Sequence, residues 1–207
     1  MKQKLFAAFA GYSLVGIASG LFVYSGLGAD CLNSLVKGVT PLFGLQVGTT
    51  GYLVQMCILA LVLLLGGRRH AGPGTIFGSL IVSVIVNLFG SVLAPVFAAL
   101  PLAGKMTAAL IGTPVSGFGL ALIQHSGLGS SANDILPILI SERLPRFQFR
   151  TVRVAFDCAE LLAGFALGVL PGFTTLCAAL LIGPCIQASL RLLDRPRRLR
   201  PAAHRAR

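Results

Sequence analysis

The sequence predicts an all-α membrane protein with six transmembrane helices, arranged as two inverted three-helix repeats. The first observation is composition: 55% of the 207 residues are hydrophobic and only 11% are charged, with a mean hydropathy of +0.86. A soluble globular domain carries far more charge than this. The second observation is a series of long apolar stretches, and the third is a repeat that divides the chain into two halves.

The apolar stretches predict the positions of the transmembrane helices. Several of them approach or exceed the roughly 20 residues that cross the hydrocarbon core of a bilayer as a helix. We place the six spans at about residues 5–25, 46–66, 74–99, 106–125, 152–170 and 172–193. The first stretch follows Lys2 and Lys4 and would also suit a cleaved signal peptide. Because a similar segment recurs later in the chain, we interpret it as a span.

The basic residues predict the orientation of the chain in the membrane. If the N-terminus is cytoplasmic, fifteen of the seventeen lysines and arginines fall on the cytoplasmic side, and only Lys37 and Lys105 fall outside. This is the positive-inside bias, so both termini are expected in the cytoplasm. The basic segment 194–207 is expected to be a cytoplasmic tail that sets topology beside an anionic leaflet. It is not expected to bind nucleic acid.

An internal repeat relates the two halves of the chain. Residues 11–28 (GYSLVGIASGLFVYSGLG) align without gaps on residues 112–129 (GTPVSGFGLALIQHSGLG), and 74–89 align more weakly on 174–189. Each half then holds three spans. Because three is odd, the second half enters the membrane from the opposite side, as is typical of secondary transporters and channels. The predicted units are a first repeat at 1–103, a second repeat at 104–193 and the tail at 194–207.

A short apolar segment follows each SGLG motif: ADCLNSLVKGVTPLFG in the first half and SSANDILPILISERLPRF in the second. Both segments are too short to span the membrane comfortably. Each begins with helix-capping residues, Asp30 in the first and Ser130 or Ser131 in the second. A buried helix N-terminus at this point would suit an anion or a carboxylate. We expect two short helices, either lying in the membrane interface or re-entering the membrane.

Ionisable residues inside the fifth predicted span are the main candidates for function. Arg153, Asp157 and Glu160 follow helical spacing and share one face of the helix. Arg153 and Asp157 are one turn apart and are expected to form an ion pair, which could be structural. Glu160 lies deeper, where a charged carboxylate costs roughly 2.5 to 3.5 kcal/mol. Glu160 could simply bond a neighbouring helix, or it could bind a proton or a cationic partner, and we assign it the proton-coupling role.

Uncharged amides occupy related positions in the two halves. Gln55 lies close to the position of Asp157 under the repeat, and Asn87 matches Gln187. Such amides can hydrogen-bond across helices without further function, but their symmetric recurrence favours a site between the halves. The predicted substrate site comprises Glu160, Asp157, Asn133, Asp134, Gln55, Asn87 and Gln187.

The spacing of the cysteines and the absence of catalytic motifs argue against other classes of function. The five cysteines are scattered singly, with no zinc or redox spacing. We expect them to be packing residues, and we expect no metal, no cofactor and no disulfide framework. The sequence contains no Walker loop, no H-E-x-x-H motif and no nucleophile paired with a base, so an enzyme is not expected.

Six segments of the chain carry a family resemblance. They are SGLGADCLNSL, GLQVGTTGYLVQ and HAGPGTIFGSLIVSVIVNLF in the first half, and SGLGSSANDIL, RTVRVAFDCAELLAGFALG and PGFTTLCAALLIGPCIQ in the second. On these segments the chain resembles the YczE/YitT-type family of bacterial integral membrane proteins, especially its YczE-like branch. Asn33 stands where that pattern has an aspartate, whereas Asp134 keeps the aspartate in the second half. The resemblance implies a multi-pass protein of the bacterial inner membrane and no particular substrate, because the family is largely uncharacterised.

These observations leave more than one function open. We expect a small secondary transporter or exporter that carries a small solute or ion across the lipid bilayer, with Glu160 exchanging a proton. A homodimer is the default assembly for so small a transporter. The alternatives are a non-catalytic accessory or substrate-capture subunit of a larger membrane complex, and a channel.

Overall fold

The computed structural model describes residues 2–144 and 146–198, the last five of them by their backbone alone. Every regular element in these ranges is helical, as the sequence predicts. A 3₁₀ turn lies at Gly67–Arg69, and a π-helical turn at Phe89–Leu93 lies within the continuous segment Pro73–Ala99. The helices are α1 (Lys2–Ser25), α2 (Cys31–Phe43), α3 (Val47–Leu64), α4 (Pro73–Leu88), α5 (Ala94–Ala99), α6 (Leu102–Ser126), α7 (Ala132–Arg143), α8 (Phe149–Ala166) and α9 (Phe173–Arg198).

Five of these segments are long and apolar enough to cross a membrane. They are α1, α3, the continuous segment Pro73–Ala99, α6, and α9 as far as Leu193. All five match predicted spans to within several residues. The helix α9 continues to Arg198, into the predicted tail, whose residues 199–207 lie outside the described ranges.

The fifth predicted span, 152–170, is a helix of different character. It is α8, which begins three residues earlier and ends four residues earlier than predicted. This helix carries Arg150, Arg153, Asp157 and Glu160, and it is not among the five apolar spans. The sequence prediction of six equivalent spans is therefore supported for five of them.

The two segments that follow the SGLG motifs form short helices, as predicted. Asp30 and Ser131 occupy their N-cap positions, but neither side chain bonds a backbone N–H of the helix that follows it. Ser131 Oγ instead donates to Gln55 Oε1 of α3 at 3.0 Å. Asp30 Oδ1 accepts a hydrogen bond from Asn33 Nδ2 at 2.6 Å. The predicted cap positions are therefore confirmed, whereas the capping bond from Ser131 is not formed.

The helices pack in two groups. The long-helix group consists of α1, α4, α6 and α9, in which α1 packs against α4 and α6, and α6 packs against α9. The short-helix group consists of α2, α3, α7 and α8, in which α2 packs against α8 and α3 packs against α7. The main contact between the groups is that of α3 with α4.

Small residues allow the closest helix contacts. A β-carbon on Gly11 of α1 would lie 2.8 Å from the carbonyl oxygen of Gly119 on α6. A β-carbon on Gly164 of α8 would lie 2.7 Å from the carbonyl carbon of Ser34 on α2. Backbone atoms cannot rotate away, so these positions require glycine. Close backbone approach at small residues is the usual way in which membrane helices associate.

The two SGLG turns are closed by matching hydrogen bonds. Thr175 Oγ1, near the start of α9, donates to the carbonyl oxygen of Ala29 at 2.7 Å. Thr75 Oγ1, near the start of α4, donates to the carbonyl oxygen of Ser130 at 2.8 Å. Ala29 and Ser130 follow the first and second SGLG motifs, respectively. Each half of the chain therefore closes the turn of the other half.

An exposed ion pair joins the 3₁₀ turn that follows α3 to the end of α7. The Glu142 carboxylate accepts a hydrogen bond from Arg69 and lies 3.2 Å from His70 Nε2. The hydrogen bond from Arg69 holds the pKa of Glu142 below its ordinary range. The Arg143 guanidinium also donates to the carbonyl oxygen of Leu65. These contacts bring the basic ends of the two helices together.

Lowering the pH is expected to remove the contribution of Glu142 to stability. Because folding lowers the pKa of this group, its contribution is complete above the unfolded pKa, about 4.3, and is lost as the pH falls through the folded pKa. The difference in thermal midpoint between wild type and Glu142→Gln should therefore shrink below about pH 4.3. Circular dichroism in detergent micelles measures both midpoints. A difference that stays constant through this window would contradict the assignment.

Candidate functional site

Glu160 of α8 and Asn133 of α7 meet inside the short-helix group. Their exposed fractions are 4% and 6%, so both side chains are buried. Asn133 Nδ2 donates to Glu160 Oε2 at 3.4 Å. The second oxygen of each side chain, Glu160 Oε1 and Asn133 Oδ1, is buried and has no hydrogen-bond partner among the described residues. A buried acceptor left unpaired costs about 1 to 3 kcal/mol, so this pair can bind a hydrogen-bond donor strongly.

Glu160 also lines an apolar cavity of about 610 Å³ between α2, α3, α7 and α8. Leu35, Leu136 and Phe156 form part of its wall. Glu160 is the only carboxylate among the described residues that line it. A large apolar cavity whose wall includes a buried carboxylate is a common form of small-molecule site.

A second cluster of charges lies one to two turns away along α8. Arg153 Nη1 donates to Asp134 Oδ1 of α7 at 2.7 Å, and Arg153 Nε lies 3.1 Å from Asp157. All three side chains are about 30% exposed. The guanidinium thus binds two carboxylates at once, one from each of two helices, and fastens α8 to α7.

Asp30 adds a further acid beside this cluster. Burial raises the pKa of the Asp30 carboxyl, and the nearby Asp157 carboxylate raises it further. Arg153 pairs with Asp134 and Asp157, and Asp30 and Glu160 lie near Asp157, so the region has an excess of negative charge when these acids are ionised. Sequence reasoning identified Asp30 only as a cap, because its approach to Asp157 depends on the packing of α2 against α8.

The structure brings most of the predicted site together but not all of it. Glu160, Asp157, Asn133 and Asp134 lie at the contact of α7 with α8, and Gln55 reaches the same region through Ser131. Asn87 lies elsewhere: its side chain accepts from Gly48 N at 2.8 Å and donates to Thr49 Oγ1 at 2.9 Å. It therefore fastens α4 to α3.

Gln187 also lies apart from the other predicted site residues. Its side chain is exposed on α9, which packs against α6 in the long-helix group. Sequence reasoning missed Ser131 as a partner of Gln55 and missed the apolar lining of the cavity. The polar residues could be recognised in the sequence because they interrupt apolar segments. The residues that line the cavity could not, because they look like those of any other apolar helix face.

Five long apolar helices define this chain as a multi-pass membrane protein. The family DUF6198, described as a family of unknown function, matches residues 2–191, and the chain belongs to that family. An uncharacterized protein of Haemophilus influenzae is 29% identical to it over 183 residues, which cover 88% of this chain and 81% of that protein. The uncharacterized membrane protein YczE of Bacillus subtilis is 25% identical over 195 residues, which cover 92% and 88% of the two chains. The resemblance to YczE-like proteins is confirmed. No solved structure matches the chain significantly.

Proposed function

We propose that this chain is a small proton-coupled secondary transporter that exchanges a proton on Glu160 for a small solute in the cavity. The observation that carries the proposal is the buried pair of Glu160 and Asn133, in which one oxygen of each is unpaired. A carboxylate that only joined two helices would be expected to have its buried oxygens paired. The cavity of about 610 Å³ beside Glu160 provides the space for a solute.

A single proton would satisfy both unpaired oxygens. If Glu160 is protonated on Oε1, its O–H can donate to Asn133 Oδ1 while Asn133 Nδ2 donates to Glu160 Oε2. Loss of that proton leaves a buried carboxylate that needs another donor. Proton and solute therefore compete for the same two atoms, and such competition couples their movements.

Several charged and titratable groups surround Glu160. Arg153 and Asp157 share its helix, and Asp134 comes from α7. Asp30 and Cys31 lie at the start of α2, and Cys57 of α3 lines the same cavity. The pH dependence of the exchange is attributed to Glu160 because, among the carboxylates that the structure describes, only this one combines deep burial with a place in the cavity wall.

We also propose six spans in two inverted repeats, 1–103 and 104–193, followed by the tail. The helix α8 has 18 residues, so it is about 27 Å long, close to the thickness of a hydrocarbon core. Arg153, Asp157 and Glu160 face partners on α7 or on their own helix, so they need not face lipid. The reciprocal threonine bonds at the two SGLG turns support the repeat.

The orientation and the place of the short helices form part of the same proposal. The excess of basic residues on one side supports cytoplasmic N- and C-termini in the bacterial inner membrane. Half of the twelve residues of α7 are buried, which supports a re-entrant helix over an interfacial one. The cavity lies between α2 and α3 of the first repeat and α7 and α8 of the second, so movement of one repeat against the other would give alternating access.

Replacing Glu160 with glutamine is expected to abolish proton release while the fold is kept. A glutamine side chain can pair with Asn133 through both of its polar atoms, as a protonated glutamate would. The measurement adds a panel of small organic cations, amino acids and anions to purified protein in weakly buffered detergent solution and records pH. Wild type should release protons on binding one member of the panel, and Glu160→Gln should release none.

The matched control is Glu142→Gln, which removes an exposed acid from the end of α7. It should leave proton release unchanged, because Glu142 pairs with Arg69 away from the cavity. Equal release by wild type and Glu160→Gln would contradict the proposal. The proposal would also be contradicted if folded wild type released no proton with any member of the panel. That result would favour an accessory subunit, and a co-purifying partner would then be sought.

A further inference from the structure

We infer that the solute is an amphipathic amine in its protonated form, with N–H donors at one end of a single apolar body. The inference rests on the proposed function for transport, whereas binding of the amine can be tested on its own. It names a ligand class for the site formed by Glu160, Asn133 and the cavity beside them.

The polar end of the ligand follows from the two unpaired atoms. Glu160 Oε1 and Asn133 Oδ1 are both acceptors, so the ligand must supply donors. A primary or secondary ammonium group has at least two N–H donors and a positive charge, and it can bind both oxygens. A quaternary ammonium carries the charge but has no N–H, and an alcohol has only one donor and no charge.

The surrounding charges exclude an anion. Asp157 lies near Glu160, and with Asp134 it leaves one negative charge that Arg153 does not compensate, so an anion would be repelled. Arg153 is the nearby cation, and its guanidinium is already bound to two of these carboxylates. Lys37 of α2 donates to the carbonyl oxygen of Val23 on α1. A zwitterion such as an amino acid would therefore leave its carboxylate without a partner in the described part of the site.

The apolar body of the ligand follows from the cavity walls. Leu35, Val39, Leu53, Leu136 and Phe156 line the cavity, and the volume of about 610 Å³ lies within the range of sites for small organic ligands. A second charged or strongly polar group would lie unpaired against these walls. A monoamine with a hydrocarbon or aromatic body fits both the pair and the cavity.

The rim of the cavity indicates the route of entry. Phe43 is 66% exposed and Leu53 is 46% exposed, and both lie on the apolar outer surface of the bundle. An amphipathic amine dissolved in the bilayer would reach Glu160 from this side. A phospholipid headgroup fits less well, because its phosphate would meet the acids around Arg153.

Binding would release one proton from Glu160 and take up one ammonium ion. The O–H bond of protonated Glu160 breaks and its proton passes to water. The ammonium group of the ligand then donates to Glu160 Oε1 and Asn133 Oδ1. The charge of the occupied site is unchanged, since one positive charge leaves and one enters.

A single tryptophan can report the binding, because the chain contains none. Phe43→Trp places that tryptophan at the exposed rim of the cavity. The probes are octylamine, octyltrimethylammonium and octanol, which share one chain and differ in the polar end. The protein is held in nanodiscs of phosphatidylcholine, whose headgroup has no N–H. Calorimetric titration of the unsubstituted chain with the same probes checks that the tryptophan does not create the response.

We expect octylamine to bind about tenfold to a hundredfold more tightly than the other two probes, as hydrogen bonds to a charged group would give. The substitution Glu160→Gln should remove this preference, and Glu142→Gln should keep it. Equal binding of all three probes, or no binding, would overturn the inference. Equal binding of octylamine and octyltrimethylammonium would overturn the requirement for N–H donors. Displacement of octylamine by phosphatidylethanolamine added to the nanodiscs would assign the site to a lipid headgroup instead.

The two proposals fail in different ways. Tight octylamine binding that requires Glu160 but releases no proton would keep the ligand class and contradict proton-coupled transport. Proton release that requires Glu160 but is triggered by a solute other than an amine would keep the transport proposal and overturn the ligand class.

Discussion

Arg153→Leu is expected to lower the free energy of unfolding by about 2 to 4 kcal/mol. The guanidinium binds Asp134 of α7 and Asp157 of α8, and all three side chains are mostly buried. Removing it leaves two carboxylates close together without a counter-charge, in a region that also holds Asp30 and Glu160. The loss should be measured by urea unfolding in detergent micelles, followed by the helical circular dichroism signal.

Two further variants separate this effect from simple loss of a side chain. Arg69→Ala removes an arginine from the exposed pair with Glu142 and should cost less than about 1 kcal/mol. Combining Arg153→Leu with Asp134→Asn and Asp157→Asn should recover most of the lost stability, because the two carboxylates that lost their counter-charge are then replaced by neutral amides. If Arg153→Leu alone lowered the free energy of unfolding as little as Arg69→Ala does, the ion pairs of Arg153 with Asp134 and Asp157 would not contribute to stability.

Gly172→Ala is expected to destabilise the fold by about 3 kcal/mol, at the upper end of the usual cost of overpacking. A β-carbon on Gly172 would overlap the carbonyl oxygen of Leu27 and would lie 2.7 Å from its carbonyl carbon and 3.1 Å from Gly28 N. These are backbone atoms of the first SGLG turn. The whole turn, and the Thr175 bond that closes it, would have to move.

The repeat supplies a second test of the same contact, and α9 supplies the control. A β-carbon on Gly72 would lie 2.6 Å from the carbonyl oxygen of Leu128 in the second SGLG turn, so Gly72→Ala should cost a similar amount. A β-carbon on Gly183 would meet no described atom within 4 Å, so Gly183→Ala should stabilise the helix by about 0.5 to 1 kcal/mol. Similar thermal midpoints for Gly172→Ala and Gly183→Ala would show that the turns are loosely packed.

The helices were largely predictable because bilayer thickness fixes the length of an apolar span. The segments α1, α3, Pro73–Ala99, α6 and α9 all lie within several residues of the predicted spans. The predicted bounds of α8 were less accurate. The arginines in its first turns lower the local hydropathy, so hydropathy alone does not locate the start of the helix. The short helices α2 and α7 were recognisable from the SGLG motifs and the capping residues that follow them.

The site was predictable only where contacts are local. Arg153 and Asp157 lie one turn apart on one helix, so their spacing alone brings them together. The contacts of Arg153 with Asp134 and of Glu160 with Asn133 join two helices, and spacing along one helix does not determine them. Asn87 and Gln187 occupy matching positions in the aligned segments but have different surroundings. An alignment of two segments relates positions along the helices and does not determine which other helices pack against them.

The reciprocal closure of the two SGLG turns has a consequence for how the chain is made. The first turn is held by Thr175 and Gly172, which lie near the far end of the sequence. The ribosome therefore synthesises α1 to α8 before it reaches the residues that hold the first turn. Folding half by half during translation is excluded for this turn, and its native contacts must form late, after most of the helices have been synthesised.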